Sequence, residues 1–317
     1  MVNPILIPET IKNQKVLIAA LDWGMGHTTR CVSVIRTLIK ANNEVVFAGN
    51  EQQLNFIKID FPGIKTETLQ GYDIQLDSTK STYLQMARQQ KRIMKAIKKE
   101  NSWLKKYVET NKVDYVISDN RYGFYHADIP SVIITHQLNL QVPTFKMITN
   151  WIIKRLIEKY DCCWVPDDEK RTLTGELSNA EIKIPVHFIG LLNRFEKIEV
   201  QHKYDFLVIL SGPEPERTNF LNDCKNKAAD LGSNIAFVGA KVDQYDSFVN
   251  PTTAELSLLI AQSNCVYSRA GYTTIMEMVG LNKKAILIPT KGQYEQEYLA
   301  TYIQHSQLKF SITVGRN

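Results

Sequence analysis

Short runs of apolar residues, bounded by polar turns, punctuate the chain, and stretches with helical spacing separate them. The first series comprises KVLIAAL at 15–21, EVVFAG at 44–49, VDYVIS at 113–118 and PSVIIT at 130–135. These runs are apolar throughout instead of alternating, which is the pattern of parallel strands covered by helices on both faces. The rhythm restarts at YDFLVILSG (204–212) and continues through NIAFVGA (234–240), NCVYSR (264–269) and KAILIPT (284–290). Two successive α/β units are therefore predicted. Between them, HFIGLLNRFEKIEVQHK passes from a short strand to polar and charged sequence near Asn193, which puts the expected domains at 1–193 and 194–317.

A chain of 317 residues, 44% hydrophobic and 22% charged, can bury two soluble cores. Its five cysteines, Cys31, Cys162, Cys163, Cys224 and Cys265, include no C-x-x-C pair and no zinc spacing with histidine. A reducing cytoplasm is the expected compartment. The opening MVNPILIPETIKNQ lacks the cationic start and apolar core of a signal peptide, and no apolar run reaches the roughly 18 residues that span a bilayer. The expectation is a protein neither secreted nor transmembrane.

The net charge of +5 is unevenly spread. Residues 1–194 carry 26 Lys and Arg against 20 Asp and Glu, and residues 195–317 carry 12 against 13. This asymmetry points to an anionic partner or surface for the first half; a nucleic-acid partner is not expected. The densest basic stretch is YLQMARQQKRIMKAIKKENSWLKKYVE at 83–109. It sets Arg88, Lys91, Arg92, Lys95, Lys98, Lys99, Lys105 and Lys106 against only Glu100 and Glu109, with Leu84, Ala87, Met94, Ile97, Leu104 and Val108 near one helical face. Two readings stand: an apolar face packed on the core with solvated lysines, or a face docked on an anionic membrane.

After the first predicted strand, Asp22-Trp23-Gly24-Met25-Gly26-His27-Thr28-Thr29-Arg30 leads into the helical pattern CVSVIRTLIKA. Glycines at such a junction allow a tight turn and close approach of a ligand to exposed N–H groups. The dinucleotide fingerprint is not met, because Thr29 replaces its third glycine and no acidic residue ends EVVFAGN before Glu51. His27 falls at the start of a helix at the carboxyl edge of a parallel sheet, where such folds place ligands. The positive helix end disfavours imidazolium and suits a neutral base. Asp119, directly after VDYVIS, is topologically suited to orient the ring. In the alternative, His27 caps the helix or packs under the turn, and Asp119 caps a loop.

Near the C-terminus the chain reads Ser268-Arg269-Ala270-Gly271-Tyr272-Thr273-Thr274-Ile275-Met276-Glu277, then a strand, Pro289, and Glu295-Gln296-Glu297. A small-residue turn opening a helix gathers backbone donors and the helix dipole on an anion such as a diphosphate. A carboxylate two turns later could accept from the neighbouring hydroxyls of a ribose, and the Glu-Gln pair could do the same for a hexose. Taken singly, these elements read as a serine cap, a packing glycine and solvated acids; their order and spacing together argue for a ligand site.

These residues resemble the GT-B glycosyltransferases of family 28, the MurG-type N-acetylglucosaminyl transferases, and more distantly plant and macrolide glycosyltransferases. S-R-A-G-x-x-T-x-x-E, the following G-x-x-x-x-x-x-P segment and the acidic-Gln pair look like the family's donor signature. G-x-G-H at 24–27 resembles its first glycine loop, T-H-Q-L-N at 135–139 its acceptor-side H-E-Q-N stretch, and G-L-L-N-R at 190–194 its hinge segment. The resemblance implies an α/β protein of two Rossmann-like domains facing a cleft. It implies His27 as base or orienter with Asp119 as its partner. Donor binding would fall to Arg194 on a phosphate, Ser268, Arg269, Ala270, Gly271 and Thr273 at the diphosphate, Glu277 at the ribose, and Glu295 and Gln296 at the sugar. Gly24, Gly26, His136, Gln137 and Asn139 would lie on the acceptor side.

The sequence also departs from the family. Where MurG-type enzymes carry G-G-S-x-G-A, this chain has Ser211-Gly212-Pro213-Glu214-Pro215-Glu216-Arg217, in which two prolines lack N–H donors and Glu214 would repel phosphate. Gln137 replaces the acceptor-side glutamate, and the chain stops soon after the Glu-Gln pair, so the family's last helices are expected to be missing. No two aspartates are separated by one residue, so neither a metal nor another cofactor is expected; backbone amides, a helix dipole and arginine would meet the phosphate charge. The expected reaction is inverting transfer of a hexose or N-acetylhexosamine from a nucleotide-sugar, by default a UDP-sugar, to a hydroxyl acceptor. The resembling family also places a lipid-facing helix in this part of the first domain, which extends the expectation to a lipid-linked acceptor and a peripheral site on the cytoplasmic membrane face. The alternatives are a sugar-nucleotide 2-epimerase, for which S-R-A-G is a poor match to the required D-S-G-G turn, and a non-catalytic sugar-nucleotide-binding subunit.

Overall fold

Every predicted apolar run forms a strand. A computed structural model describes residues 7–72, 88–142, 145–212, 214–231, 234–306 and 312–315, and the chain divides into two compact units, Leu192 closing the first and Asn193 opening the second. The first unit holds β1 (Lys15–Ala20), β2 (Glu44–Gly49), β3 (Lys65–Thr68), β4 (Tyr115–Asp119), β5 (Ser131–Ile134), β6 (Cys162–Val165) and β7 (Val186–Phe188). These pair, all parallel, in the order β3-β2-β1-β4-β5-β6-β7. Val16 to Ala20 and Val132 to Ile134 are wholly buried, which explains their unbroken apolar character. The strand order reverses between β1 and β4, whose register sets Ala20 beside Asp119. In a doubly wound sheet that reversal opens the crevice where ligands bind.

Four helices of this unit are described: α1 (Gly26–Lys40), α2 (Glu51–Asp60), α3 (Gln90–Thr110) and α4 (Lys146–Ile157). Helix α3 decides between the two readings of the basic stretch. Ile97 and Leu104 are buried, and Met94 and Val108 are half-buried against the same unit's core. The apolar face is therefore core; the seven cations within α3 are exposed on its remaining faces, and Arg88, just before the helix, is exposed too. Leu84 and Ala87 lie outside the described residues.

The inner side of α3 is also pinned by charge. Glu100, 4% exposed, accepts from the Arg121 guanidinium, from Tyr72 Oη at 2.7 Å and from the Gly123 amide at 2.8 Å. A side chain at Gly123 would place its Cβ 2.2 Å from the Ile97 carbonyl oxygen, so only glycine allows this approach.

Helix α4 behaves differently. Its Leu156 and Ile157 are buried, and Ile152 packs beside Ile93 and Met94 of α3. Yet Phe145, Met147, Ile148 and Trp151 are 71, 87, 58 and 60% exposed, a concentration of apolar surface that a solvated helix does not need. Lys146, Arg155 and Lys159 are exposed around it, with the Arg155 guanidinium 5.6 Å from the Trp151 ring centroid. Among the described residues no helix is long and apolar enough to cross a membrane.

The second unit holds β8 (Tyr204–Ile209), β9 (Ile235–Val238), β10 (Asp246–Phe248), β11 (Ser263–Arg269), β12 (Ala285–Ile288) and β13 (Ile312–Val314), with α5 (Glu216–Leu231), α6 (Thr253–Ala261), α7 (Tyr272–Gly280) and α8 (Tyr294–His305). Its sheet is again parallel, in the order β10-β9-β8-β11-β12-β13, and reverses between β8 and β11. The two motifs singled out in the sequence, at 211–217 and 268–277, lie where those two strands end, and the first of them runs into α5 at Glu216.

Candidate active site

In the first unit the site grows from the turn between β1 and α1. Gly24 has φ of +73°, a conformation that favours glycine, and Gly26 begins α1. Gln53 of α2 steadies the turn, donating from Nε2 to the Ala20 carbonyl at 3.0 Å and to Thr28 Oγ1 at 2.8 Å. The first helical turn thereby carries His27 to the end of β4, and His27 Nδ1 lies 2.7 Å from Asp119 Oδ1. The His27 side chain is 16% exposed while that of Asp119 is fully buried.

Asp119 has a second partner that sequence reasoning missed. Arg30, one helical turn beyond His27 and 1% exposed, donates from Nε to Oδ2 at 2.7 Å and from Nη2 to Oδ1 at 2.5 Å. Its Nη2 is also 2.9 Å from His27 Nδ1 and its Nη1 3.4 Å from His136 Nδ1. Burial pushes the Asp119 carboxyl up, but Arg30 and His27 more than reverse this and hold it below its ordinary value. The available signal was spacing: a residue three positions after His27 shares its helical face.

The expected acceptor-side residues follow β5. His136 is buried, and the Gln137 amide donates to Thr135 Oγ1 at 3.1 Å. Asn139 donates its amide to the Leu177 carbonyl at 2.8 Å, and its Oδ1 accepts from Asn150 Nδ2 of α4 at 2.9 Å. Asn150 Oδ1 in turn accepts from the Leu140 amide at 2.7 Å. Helix α4 is thus tied by one buried asparagine to the 136–140 stretch.

In the second unit, the donor residues divide. Ser268 Oγ donates to the Ile209 carbonyl at 2.9 Å and the Ala270 amide to the Ile288 carbonyl at 3.1 Å, so both knit β11 into its sheet. Arg269 lies over the Phe220 ring at 4.3 Å and 3.8 Å from Glu216 Oε2. The part of the expected diphosphate cradle left facing outward is Gly271, the N-cap of α7, with Thr273 in the helix's first turn, where leading amides have no acceptor within the helix. No side chain or backbone atom lies within 4 Å of where a Cβ on Gly271 would be.

Glu277 and Arg194, expected on ribose and phosphate, are paired with each other: Arg194 Nε donates to Glu277 Oε1 at 2.8 Å. Burial drives the Glu277 carboxyl up, with Arg194 opposing it, and the balance leaves it above the ordinary value. Asn193 Nδ2 adds a bond to the Glu277 carbonyl at 3.1 Å. Glu295 sits half-buried in the first turn of α8. Gln296 closes the preceding loop, its Oε1 accepting from the Thr290 amide at 2.9 Å and its Nε2 donating to Gln293 Oε1 at 2.6 Å. In the loop after β8, Glu214 accepts from the Thr218 amide and hydroxyl at 3.1 and 2.7 Å, so its charge caps α5. Pro213 lies outside the described residues.

Residues 209–312 match the family model described as the glycosyltransferase family 28 C-terminal domain. No curated protein sequence matches the chain. Among solved structures, an Arabidopsis thaliana UGT complexed with UDP-L-rhamnose is similar at TM-score 0.63 and 11% identity, over 97% of this chain and 86% of that one. A spinosyn rhamnosyltransferase complexed with thymidine diphosphate gives 0.61 and 12%, over 95 and 86%. Acinetobacter baumannii MurG gives 0.50 and 14%, over 95 and 85%. At such identities the likeness is one of fold. Residues 209–312 match the glycosyltransferase family 28 C-terminal domain, and the two parallel-sheet α/β units have the fold of GT-B glycosyltransferase structures.

Proposed function

We propose that the protein transfers a hexose or N-acetylhexosamine from a nucleotide-sugar to a hydroxyl acceptor by direct displacement with inversion. The observation that carries this reading is the hydrogen bond of His27 Nδ1 to buried Asp119 at the strand-order reversal of the first unit. A ring held through Nδ1 presents Nε2 to take the acceptor's proton as the hydroxyl attacks the anomeric carbon. The C–O bond to the diphosphate breaks, and the leaving anion is met in the second unit by the amides and dipole at the start of α7. The pairing of Arg194 with Glu277 supports a nucleoside site there. It keeps a buried carboxylate ionisable and leaves Glu277 Oε2 as an acceptor for ribose hydroxyls.

The absence of D-x-D in the sequence supports transfer without a bound metal. UDP is the first donor to test, since the solved structures similar to this chain include complexes with UDP-L-rhamnose and thymidine diphosphate. Thermal-shift measurement against nucleoside diphosphates and their sugars, with EDTA present, tests the donor half. A ligand at 100 times its dissociation constant adds about 2.7 kcal/mol of stability. Glu277→Ala should weaken that shift through loss of hydrogen bonds worth about 1.5–3 kcal/mol. No shift with any nucleotide, or a shift that needs manganese, contradicts the reading.

A lipid-linked acceptor belongs to the same proposal, and its support now comes from α4. The exposed Phe145, Met147, Ile148 and Trp151 with neighbouring cations fit an anionic membrane surface, and Asn150 couples that helix to the expected acceptor stretch. The exposed lysines of α3 add charge beside it.

A further inference from the structure

The geometry points to Arg30 as a positioning residue for the His27–Asp119 pair, fixing which imidazole nitrogen carries the proton and holding the ring neutral. The inference rests on reading His27 as the base. A guanidinium has five N–H donors in a rigid fork and no acceptor, and it matches a carboxylate at two points. Arg30 engages both oxygens of Asp119 in that way, at 2.7 and 2.5 Å, with the arginine and the carboxylate both out of solvent. The carboxylate plane is thereby locked before His27 meets it.

The first consequence concerns the tautomer. His27 Nδ1 lies 2.7 Å from an Asp119 oxygen and 2.9 Å from Arg30 Nη2. That nitrogen can donate to the carboxylate or accept from the guanidinium, not both. Arg30 Nη2 carries two N–H bonds, one of them directed at Asp119 Oδ1, so the choice is set by the carboxylate oxygen that Nδ1 also meets. A bare Nδ1 would set its lone pair against an anionic oxygen at 2.7 Å. Nδ1–H donating to Asp119 avoids this repulsion, and the basic lone pair is then on Nε2.

The second consequence concerns charge. A lone buried carboxylate draws a neighbouring histidine into imidazolium, which cannot accept a proton. His27 meets Asp119 of β4 and Arg30 of α1; Cys31 lies within the field of that Asp119–Arg30 pair, and His136, after β5, lies beside Arg30. Burial raises the Cys31 thiol, so it adds no charge. Asp119 is the negative group and Arg30 the permanently positive one, and their contact opposes the field that a lone carboxylate would place on the ring. Arg30 therefore lets Asp119 orient the base without protonating it. Its Nη1, 3.4 Å from His136, extends the same positive field to the acceptor-side stretch.

The test is a titration of the His27 imidazole by NMR in the whole protein, assigned by the resonance lost in His27→Gln. Wild type should show Nδ1–H and a bare Nε2 when neutral. In Arg30→Gln the midpoint should rise by about 1–3 pH units. In Arg30→Lys, which keeps charge without the fork, it should move less. A purely structural arginine would lower the melting temperature without moving the midpoint. An Arg30→Gln midpoint equal to that of wild type, or a bare Nδ1 in wild type, overturns the inference. Should Arg30→Gln not fold, the wild-type tautomer and Arg30→Lys decide. No donor is required, so the outcome is independent of transfer: full transfer by His27→Gln would sink the base reading and leave the clamp standing.

Discussion

Asp119 keeps a negative charge with no solvent contact, and that is tolerable because Arg30 and His27 occupy its oxygens. Its carboxyl is held below the ordinary 3.8 in the folded protein. A carboxyl depressed on folding contributes stability that is present above its unfolded value and lost as pH falls through its folded value. The window therefore lies below about pH 4. Asp119→Asn leaves Arg30 buried without an anion and should cost about 3–5 kcal/mol at neutral pH. Urea denaturation of the two proteins should show that difference shrinking as the pH is lowered through 4 toward 2. A difference constant across that range would mean that Asp119 is not charged in the fold.

Individual residues also mark where sequence reasoning ran out. Arg30 has no role in the sequence reading, because the carboxylate it clamps lies 89 positions away at the end of another strand. Glu277 and Arg194, 83 positions apart, carried motif roles that said nothing of their mutual pairing. Ser268 and Ala270 sit in a signature whose outward appearance is a phosphate turn, yet a hydroxyl and an amide inside it close the sheet.

At the level of elements, the buried strands were legible because both faces are covered and every position must be apolar. The edges were not: KTET of β3 and DSF of β10 are polar at the sheet margins. The amphipathic pattern predicts a helix at α3, but periodicity cannot say what covers an apolar face. Here it is the core, and the face left open belongs to α4. Membrane docking should accordingly depend on α4. Wild type should co-sediment with vesicles containing anionic phospholipid at low salt, each basic residue near the surface adding about 1 kcal/mol. Phe145→Ser with Trp151→Ser should reduce recovery several-fold, with no loss of melting temperature, since both side chains are exposed. Equal recovery from neutral vesicles, or none from either, would leave a soluble acceptor as the better reading.

The whole molecule repeats one design. Each unit is a parallel sheet whose order reverses beside its central strand, and each reversal carries one set of site residues. On the proposed reading, the first offers a proton acceptor in His27, oriented by Asp119 and steadied by Arg30, and the second offers a helix start and a buried Glu277–Arg194 pair for a nucleotide. The account stands or falls on whether these are parts of one reaction. The direct measurement is release of nucleoside diphosphate from a panel of UDP-, TDP- and GDP-sugars in EDTA, by wild type, His27→Ala, Asp119→Ala and the double variant. Release by wild type should fall about 10²- to 10⁴-fold in His27→Ala. The double variant should be little slower than the worse single one, because groups acting as a unit are not additive. Nucleotide-induced thermal stabilisation should survive in all four proteins. Release by His27→Ala at the wild-type rate, or fully multiplicative losses in the double variant, would contradict the account.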